Sequence, residues 1–274
     1  MTATMPDILN VLVTAYRAGR PLALLFDYDG TLTPIVDHPA HATLAAQTRH
    51  VLQQLAELPR VLVGILSGRC LDDLKDIVGL RDVVYVGTGG LELEYGGTRS
   101  VYPDATQTSG VIDDIEMRLC QCVAAYPGAV LERKPLGLTV HFRNADPSHI
   151  EALQSEVARS LESFASPLRI LPGPMATEIL PDLGWDKGTA VRFIVRMLGD
   201  NCSVLYAGDH ANDADAFTVT NALKGVTLGI GPDAPDTAHY RLSDPSALND
   251  FLKQLLEQIT KRCERTRVQD AVQR

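Results

Sequence analysis

Five short apolar runs constrain the fold of this chain more than any other feature. They are Leu22–Phe26, Val61–Leu66, Val83–Val86, Val204–Ala207 and Val226–Ile230. The first is continuously apolar, with no alternation, and reads as a strand covered on both faces; the others resemble it. Each ends in Gly, Ser or Asp, and each is separated from the next by a plausible helix or by a long middle section. That pattern predicts an α/β architecture, a parallel sheet with helices on both faces. Ligands of such sheets bind outside the carboxyl ends of the strands. Ser67 directly follows the second run and Gly208-Asp209 follow the fourth, so several strand ends deliver polar residues to one crevice.

The first run leads into Phe26-Asp27-Tyr28-Asp29-Gly30-Thr31-Leu32. Residues i and i+2 of a strand point to the same side, so Asp27 and Asp29 are expected to converge where the strand ends. Gly30 lets the chain turn sharply behind them. Two acids at the carboxyl end of a buried strand stabilise a fold poorly. They are suited to hold a metal, attack an electrophile and shuttle a proton. An ordinary solvated Asp-x-Asp-Gly turn is the alternative for the motif taken alone.

The middle section, about 106 to 181, has another texture. Val111 to Ala125 is helix-like, and Ala129 to Lys134 and Leu138 to Arg143 form a hairpin turning at Pro135-Leu136-Gly137. Asp146-Pro147 starts a helix running to about Phe164. Strands near Leu168 to Leu171 and Met175 to Leu180 flank Pro172-Gly173-Pro174. Helix-strand-strand twice over is an α+β unit inserted between strands of the larger sheet. A last amphipathic helix covers Ser246 to about Lys261, followed by a tail expected to fray.

With 274 residues the chain can bury a full core, and a net charge of −9 argues against nucleic acid or an anionic membrane as partner. Cys70, Cys120, Cys122, Cys202 and Cys263 lack paired metal-type spacing and read as free thiols in a reducing cytosol. There is no basic leader region and no bilayer-length apolar run, so a cytoplasmic protein is expected, monomeric or weakly oligomeric.

Taken together these residues resemble the haloacid dehalogenase superfamily of phosphotransferases, and within it the trehalose-6-phosphate phosphatases. The resemblance runs from about Leu22 to about Phe217 and includes Pro34-Ile35-Val36, Pro39 and Ala42. It implies a Rossmann-like core of 1–105 plus 182–274 and an inserted α+β cap domain of the C2B type, 106–181. It implies Asp27 as nucleophile and Asp29 as general acid/base. Ser67, in Ser67-Gly68-Arg69, would bind phosphate, with Gly68 and Arg69 beside the substrate, and Lys187 would pair with nucleophile and phosphate. Mg²⁺ would be held by Asp27, Asp29 (through its backbone carbonyl), Asp209 and Asp213. In the cap, Glu132, Lys134, Arg143 and Glu178 would grip the sugar. Glu132, Lys134 and Arg143 can share one sheet face if they lie on adjacent strands.

The implied chemistry explains these parts. Enzymes that cleave phosphate monoesters supply up to roughly 10²¹-fold acceleration. Carboxylate and phosphate repel by about 4 kcal/mol per pair of unit charges at about 4 Å and an effective dielectric near 20, so cations must cancel that. Two departures stand out. Where the resembled family commonly has further acids in its metal loop, this chain has His210 and Ala214, and the family's histidine-glycine pair is here Gly89-Gly90. A phosphatase of another sugar phosphate, a non-catalytic sugar-phosphate sensor and a phosphomutase are the alternatives.

Overall fold

The computed structural model describes residues 5–36, 41–162, 164, 168–173, 175–199 and 201–272; Pro39 and Pro174 lie outside them. Helix α1 (Met5–Arg17) precedes β1 (Leu22–Asp27), and α2 (Ala46–Ala56), β2 (Val61–Leu66), α3 (Leu71–Val78) and β3 (Val84–Gly87) follow. A hairpin of β4 (Glu92–Tyr95) and β5 (Thr98–Val101) comes next. The middle section holds α4 (Ser109–Val123), β6 (Val130–Lys134), β7 (Gly137–His141), α5 (Ile150–Leu161), β8 (Leu168–Gly173) and β9 (Ala176–Pro181). The chain returns through α6 (Lys187–Leu198), β10 (Ser203–Gly208), α7 (Ala214–Ala222), β11 (Val226–Ile230), β12 (Tyr240–Leu242) and α8 (Pro245–Val272).

The larger sheet has the order β12-β11-β10-β1-β2-β3-β4-β5. It is parallel from β12 to β3, as the apolar runs predict, and the hairpin of β4 and β5 adds two antiparallel strands at one edge. The missed hairpin is short, alternates Glu and apolar residues in β4, and turns on Gly96-Gly97, both at positive φ. Central β1 is buried throughout. Leu22, Leu24 and Phe26 pack with α1, α2, α3 and α8, while Ala23 and Leu25 pack with α6 and α7. This alternation decides where Asp27 points. It continues the Ala23–Leu25 side, the side that carries α6.

A second sheet, order β6-β7-β9-β8, is antiparallel throughout. One face, with Leu138, Val140 and Ile179, packs on α4 and α5 in a core of its own. The turn of the first hairpin is Pro135-Leu136, with Gly137 already in β7, and Arg143 lies beyond that strand's end. Arg143 therefore does not share the strand face assigned to it; period-two counting was carried past His141. Asp146 does cap, accepting from the Ser148 amide at 2.9 Å, but into a single 3₁₀ turn before α5, which ends at Leu161 rather than near Phe164. The last helix is assigned Pro245–Val272, longer than the stretch to about Lys261 read from the sequence. Arg169 on β8 pairs with Asp215 at the start of α7, tying the second sheet to the larger one's helices, and Trp185 Nε1, after β9, donates to the Gly90 carbonyl at 2.7 Å. Among the described residues no helix is long and apolar enough to cross a membrane.

Candidate active site

β1 ends at Asp27, whose side chain emerges on the α6 side and meets the first residue of that helix. Lys187 Nζ donates to Asp27 Oδ1 at 2.6 Å and to Asp213 Oδ1 at 2.7 Å, with all three side chains buried. Asp186 explains why the lysine sits there. Its carboxylate caps α6 by accepting from the Thr189 amide at 2.7 Å, while Thr189 closes the reciprocal half of the capping box. The cap role and the lysine role thus fall on adjacent residues.

Past β1 the shared-face rule no longer applies, because Asp29 lies in a turn. Gly30, at φ 90°, donates to the Thr33 carbonyl at 2.8 Å, and Leu32 donates to the Tyr28 carbonyl at 3.0 Å. A side chain at position 30 would run into the Asp209 carboxylate. Asp29 is turned toward Arg69, whose guanidinium donates to both of its oxygens at 2.7 and 2.8 Å and to Asp73 at 2.8 Å. The guanidinium also lies 5.6 Å from the Tyr28 ring centroid. Burial and the Asp29 charge push the Tyr28 phenol up to about 12.

Beyond β10, Asp209 and Asp213 complete a buried group. Carboxylate oxygens of Asp27, Asp209 and Asp213 lie within 4.8 Å of one another. Asp213 accepts four hydrogen bonds: from Lys187, from the Tyr206 hydroxyl at 2.7 Å, and from the amides of Asp209 and His210 at 3.0 and 3.3 Å. Asp209 accepts from the Thr31 hydroxyl at 3.3 Å. Burial, then the charge of Asp213, holds Asp209 up at about 7. Burial also raises Asp27 well above the usual carboxylate range, although Lys187 pulls it back. Burial alone would lower the Lys187 ammonium, but Asp213 and Asp27 raise it, so it stays charged. Three buried acids therefore face one lysine, a donor set that suits a hard divalent cation.

The loop after β2 carries Ser67, Gly68 and Arg69. Ser67 is buried and its Oγ accepts from the Arg69 amide at 3.1 Å, so it closes a local turn rather than capping α3. The Gly68 carbonyl accepts from Lys134 Nζ at 3.0 Å, and the same ammonium pairs with Glu178 Oε1 at 2.8 Å. Burial would raise Glu178, but the charge and hydrogen bond of Lys134 bring it below its ordinary value. Glu132 pairs with His141 at 2.7 Å. Residues Glu132, Lys134, Thr139, His141, Ala176 and Glu178 occupy the sheet face opposite the α4 and α5 core. That face and the strand ends of the larger sheet line one cavity of 480 Å³.

All the candidate residues named from the sequence except Lys187 and Asp213 line this cavity, and those two stand directly behind its floor through Asp27 and Asp209. Arg143 reaches the wall from beyond β7. Tyr206, Thr31 and Asp73 are given no role by the sequence, and His141 enters only as a member of the stretch His141-Phe142-Arg143. Tyr206 carried a usable signal: a hydroxyl in an otherwise apolar strand needs a buried partner. Gly89 sits at φ 62°, and a Cβ there would lie 2.8 Å from Leu180 Cδ1 of β9.

The topology is that of haloacid dehalogenase-like hydrolases. One such protein from Bacteroides thetaiotaomicron superposes with a TM-score of 0.58 at 14% identity, over 86% of this chain and 100% of its own. The C-terminal domain of Candida albicans trehalose-6-phosphate phosphatase superposes with a TM-score of 0.80 at 24% identity, over 93% of this chain and 97% of its own. In sequence, the family model described as trehalose-phosphatase matches residues 25–250. Probable trehalose-phosphate phosphatase 4 of Oryza sativa subsp. japonica is 32% identical over 255 residues, 89% of this chain and 68% of that protein. Trehalose-phosphate phosphatase B of Arabidopsis thaliana is 30% identical, over 92% of this chain and 71% of its own. The chain belongs to the trehalose-phosphatase family.

Proposed function

We propose that this chain hydrolyses trehalose 6-phosphate to trehalose and inorganic phosphate, with residues 106–181 acting as a cap domain over a core of 1–105 and 182–274. The observation that carries this is a single cavity with two unlike walls. One holds Asp27, Asp29, Ser67 and Asp209; the other presents Glu132, Lys134, His141 and Glu178. Carboxylates, an ammonium and an imidazole are groups that hydrogen-bond sugar hydroxyls.

An Asp27 oxygen forms a bond to phosphorus as the bond from phosphorus to the sugar oxygen breaks, and Asp29 gives its proton to that leaving oxygen. Asp29 then takes a proton from water, whose oxygen attacks phosphorus and breaks the bond to Asp27. Lys187 holds the nucleophile in place and offsets its charge. Both Asp29 oxygens are taken by Arg69, so either proton transfer requires the guanidinium to turn aside. A phosphate in the cavity is the competing anion that draws it away, a partner that guanidinium matches well.

Asp27, Asp209, Asp213 and the backbone carbonyl of Asp29 would hold Mg²⁺, with Asp213 also anchoring their loop and Lys187. When bound, the ion supplies charge neutralisation at the phosphoryl oxygens.

Phosphate release from a panel of sugar phosphates tests the assignment. Trehalose 6-phosphate is expected to have the highest kcat/KM. Faster turnover of a monosaccharide phosphate would overturn the substrate, and no release from any member would overturn the enzyme reading.

A further inference from the structure

The cavity face of the second sheet is almost fully paired with itself. Glu132 takes His141, and Lys134 takes Glu178 and the Gly68 carbonyl. Thr139 is the exception. It sits at the centre of β7, opposite Glu132 on one side and opposite Glu178 on the other, and is 2% exposed. Its neighbours in sequence, Leu138 and Val140, turn to the apolar core, so its own side chain belongs to the cavity face. It lines the cavity, yet its Oγ1 is buried without a hydrogen-bond partner. His210 Nδ1 and Asn212 Oδ1 share that condition and the cavity, but they lie on the acidic loop, beside the phosphate chemistry.

Buried hydroxyls are normally paired, and an unpaired one costs stability unless something completes it. β-branched Val would serve a strand equally well and pack better. From its placement between two carboxylates, we infer that Thr139 is a sugar-recognition residue, its hydroxyl completed by a hydroxyl of the bound disaccharide. A threonine hydroxyl both donates and accepts, whereas Glu132 and Glu178 only accept when ionised. Thr139 thus places between the two carboxylates a group that can serve a sugar hydroxyl in either sense. Cross-strand neighbours lie about 5 Å apart, a spacing comparable to that of nearby hydroxyls on one pyranose. The inference rests on the proposed substrate and deepens it.

The test compares Thr139→Val with Thr139→Ser, using trehalose 6-phosphate and p-nitrophenyl phosphate, together with thermal melting without ligand. Thr139→Val is expected to lose roughly tenfold in kcat/KM for the sugar, as expected when one hydrogen bond to a substrate hydroxyl is removed. Thr139→Ser should restore most of that loss. The nitrophenyl ester should be turned over equally by all three proteins, and Thr139→Val should melt at or above the wild-type temperature. Equal sugar kinetics for Val and wild type would overturn the inference. So would a loss shared by both substrates, or one that Ser does not rescue. If wild type prefers another sugar phosphate, the substrate proposal fails separately, and the same comparison on the preferred sugar decides the role of Thr139.

Discussion

Gly68 is where a single methyl group should separate sugar recognition from phosphoryl chemistry. A Cβ built there falls within the Glu178 carboxylate, 2.7 Å from its Cδ, so the two cannot coexist. Gly68 itself does not sit at positive φ, so alanine strains nothing in its own backbone. The Glu178 carboxylate is a side-chain end and can move, but only by leaving Lys134, which is held at 2.8 Å and also donates to the Gly68 carbonyl. Gly68→Ala therefore breaks at least one charge-assisted hydrogen bond, worth roughly 1.5–3 kcal/mol. At about 1.4 kcal/mol per factor of ten, kcat/KM for trehalose 6-phosphate should fall roughly 10- to 150-fold. Ser67 and Asp27 keep their partners, so p-nitrophenyl phosphate, which is too small to span the cavity, should lose less than about threefold on the same scale. Steady-state kinetics on the two substrates give the answer. Equal losses would mean the methyl disturbs the Ser67 loop, and no loss on the sugar would mean Glu178 makes no contribution in its present position.

Three further outcomes follow from the site. Asp27→Asn should abolish turnover with the melting temperature little changed, and Asp29→Asn should harm trehalose 6-phosphate far more than the nitrophenyl ester, whose leaving group needs no proton; substantial turnover by Asp27→Asn, with deamidation excluded by mass spectrometry, refutes the nucleophile. Excess chelator should stop phosphate release and Mg²⁺ should both restore it and raise the melting temperature, since an ion bound only by the folded state stabilises it; activity in full chelator sinks the metal site. Glu178 is held below its ordinary value by Lys134, so the pair stabilises the fold above the unfolded carboxylate value, and this is lost as the pH falls through the folded one. Melting temperature against pH should accordingly drop more steeply for wild type than for Lys134→Met on the acid side, and parallel curves would contradict the shift.

Residues whose positions follow from the end of an element were legible in the sequence. Asp27 closes a buried strand, Ser67 follows another, Asp209 a third, and Lys187 follows the Asp186 cap of α6. Residues whose surroundings come from a partner far along the chain were not. Tyr206 matters because Asp213 folds back beneath it, and Thr31 because Asp209 lies 178 positions away. His141 stands two residues before Arg143, and because β7 ends at His141, it is His141 rather than Arg143 that lies on the strand face. The antiparallel hairpin escaped for a related reason. Its strands are four residues each, and little of their surface is buried, so no apolar run announces them.

The loop Ser67-Gly68-Arg69 joins these observations mechanically. Ser67 lines the crevice beside Asp27, the Gly68 carbonyl accepts from Lys134, proposed to hold the sugar, and Arg69 pairs with Asp29, the proposed acid/base. The loop is pinned from below: the Gly89 amide donates to the Ser67 carbonyl at 3.0 Å and the Thr88 amide to the Arg69 carbonyl at 2.7 Å. Thr88 and the Leu71 amide in turn donate to buried Glu92, at 2.6 and 3.3 Å. A loop held this way cannot drift to follow a poorly fitting ligand. A sugar that leaves Lys134 where it is lets the phosphate meet Ser67 and Arg69 in register, while one that displaces Lys134 loses a contact at Gly68, one residue from each. Discrimination between sugars is then felt at phosphorus, so a wrong sugar should depress kcat as well as raise KM, since the interactions it loses are tied to the transition state.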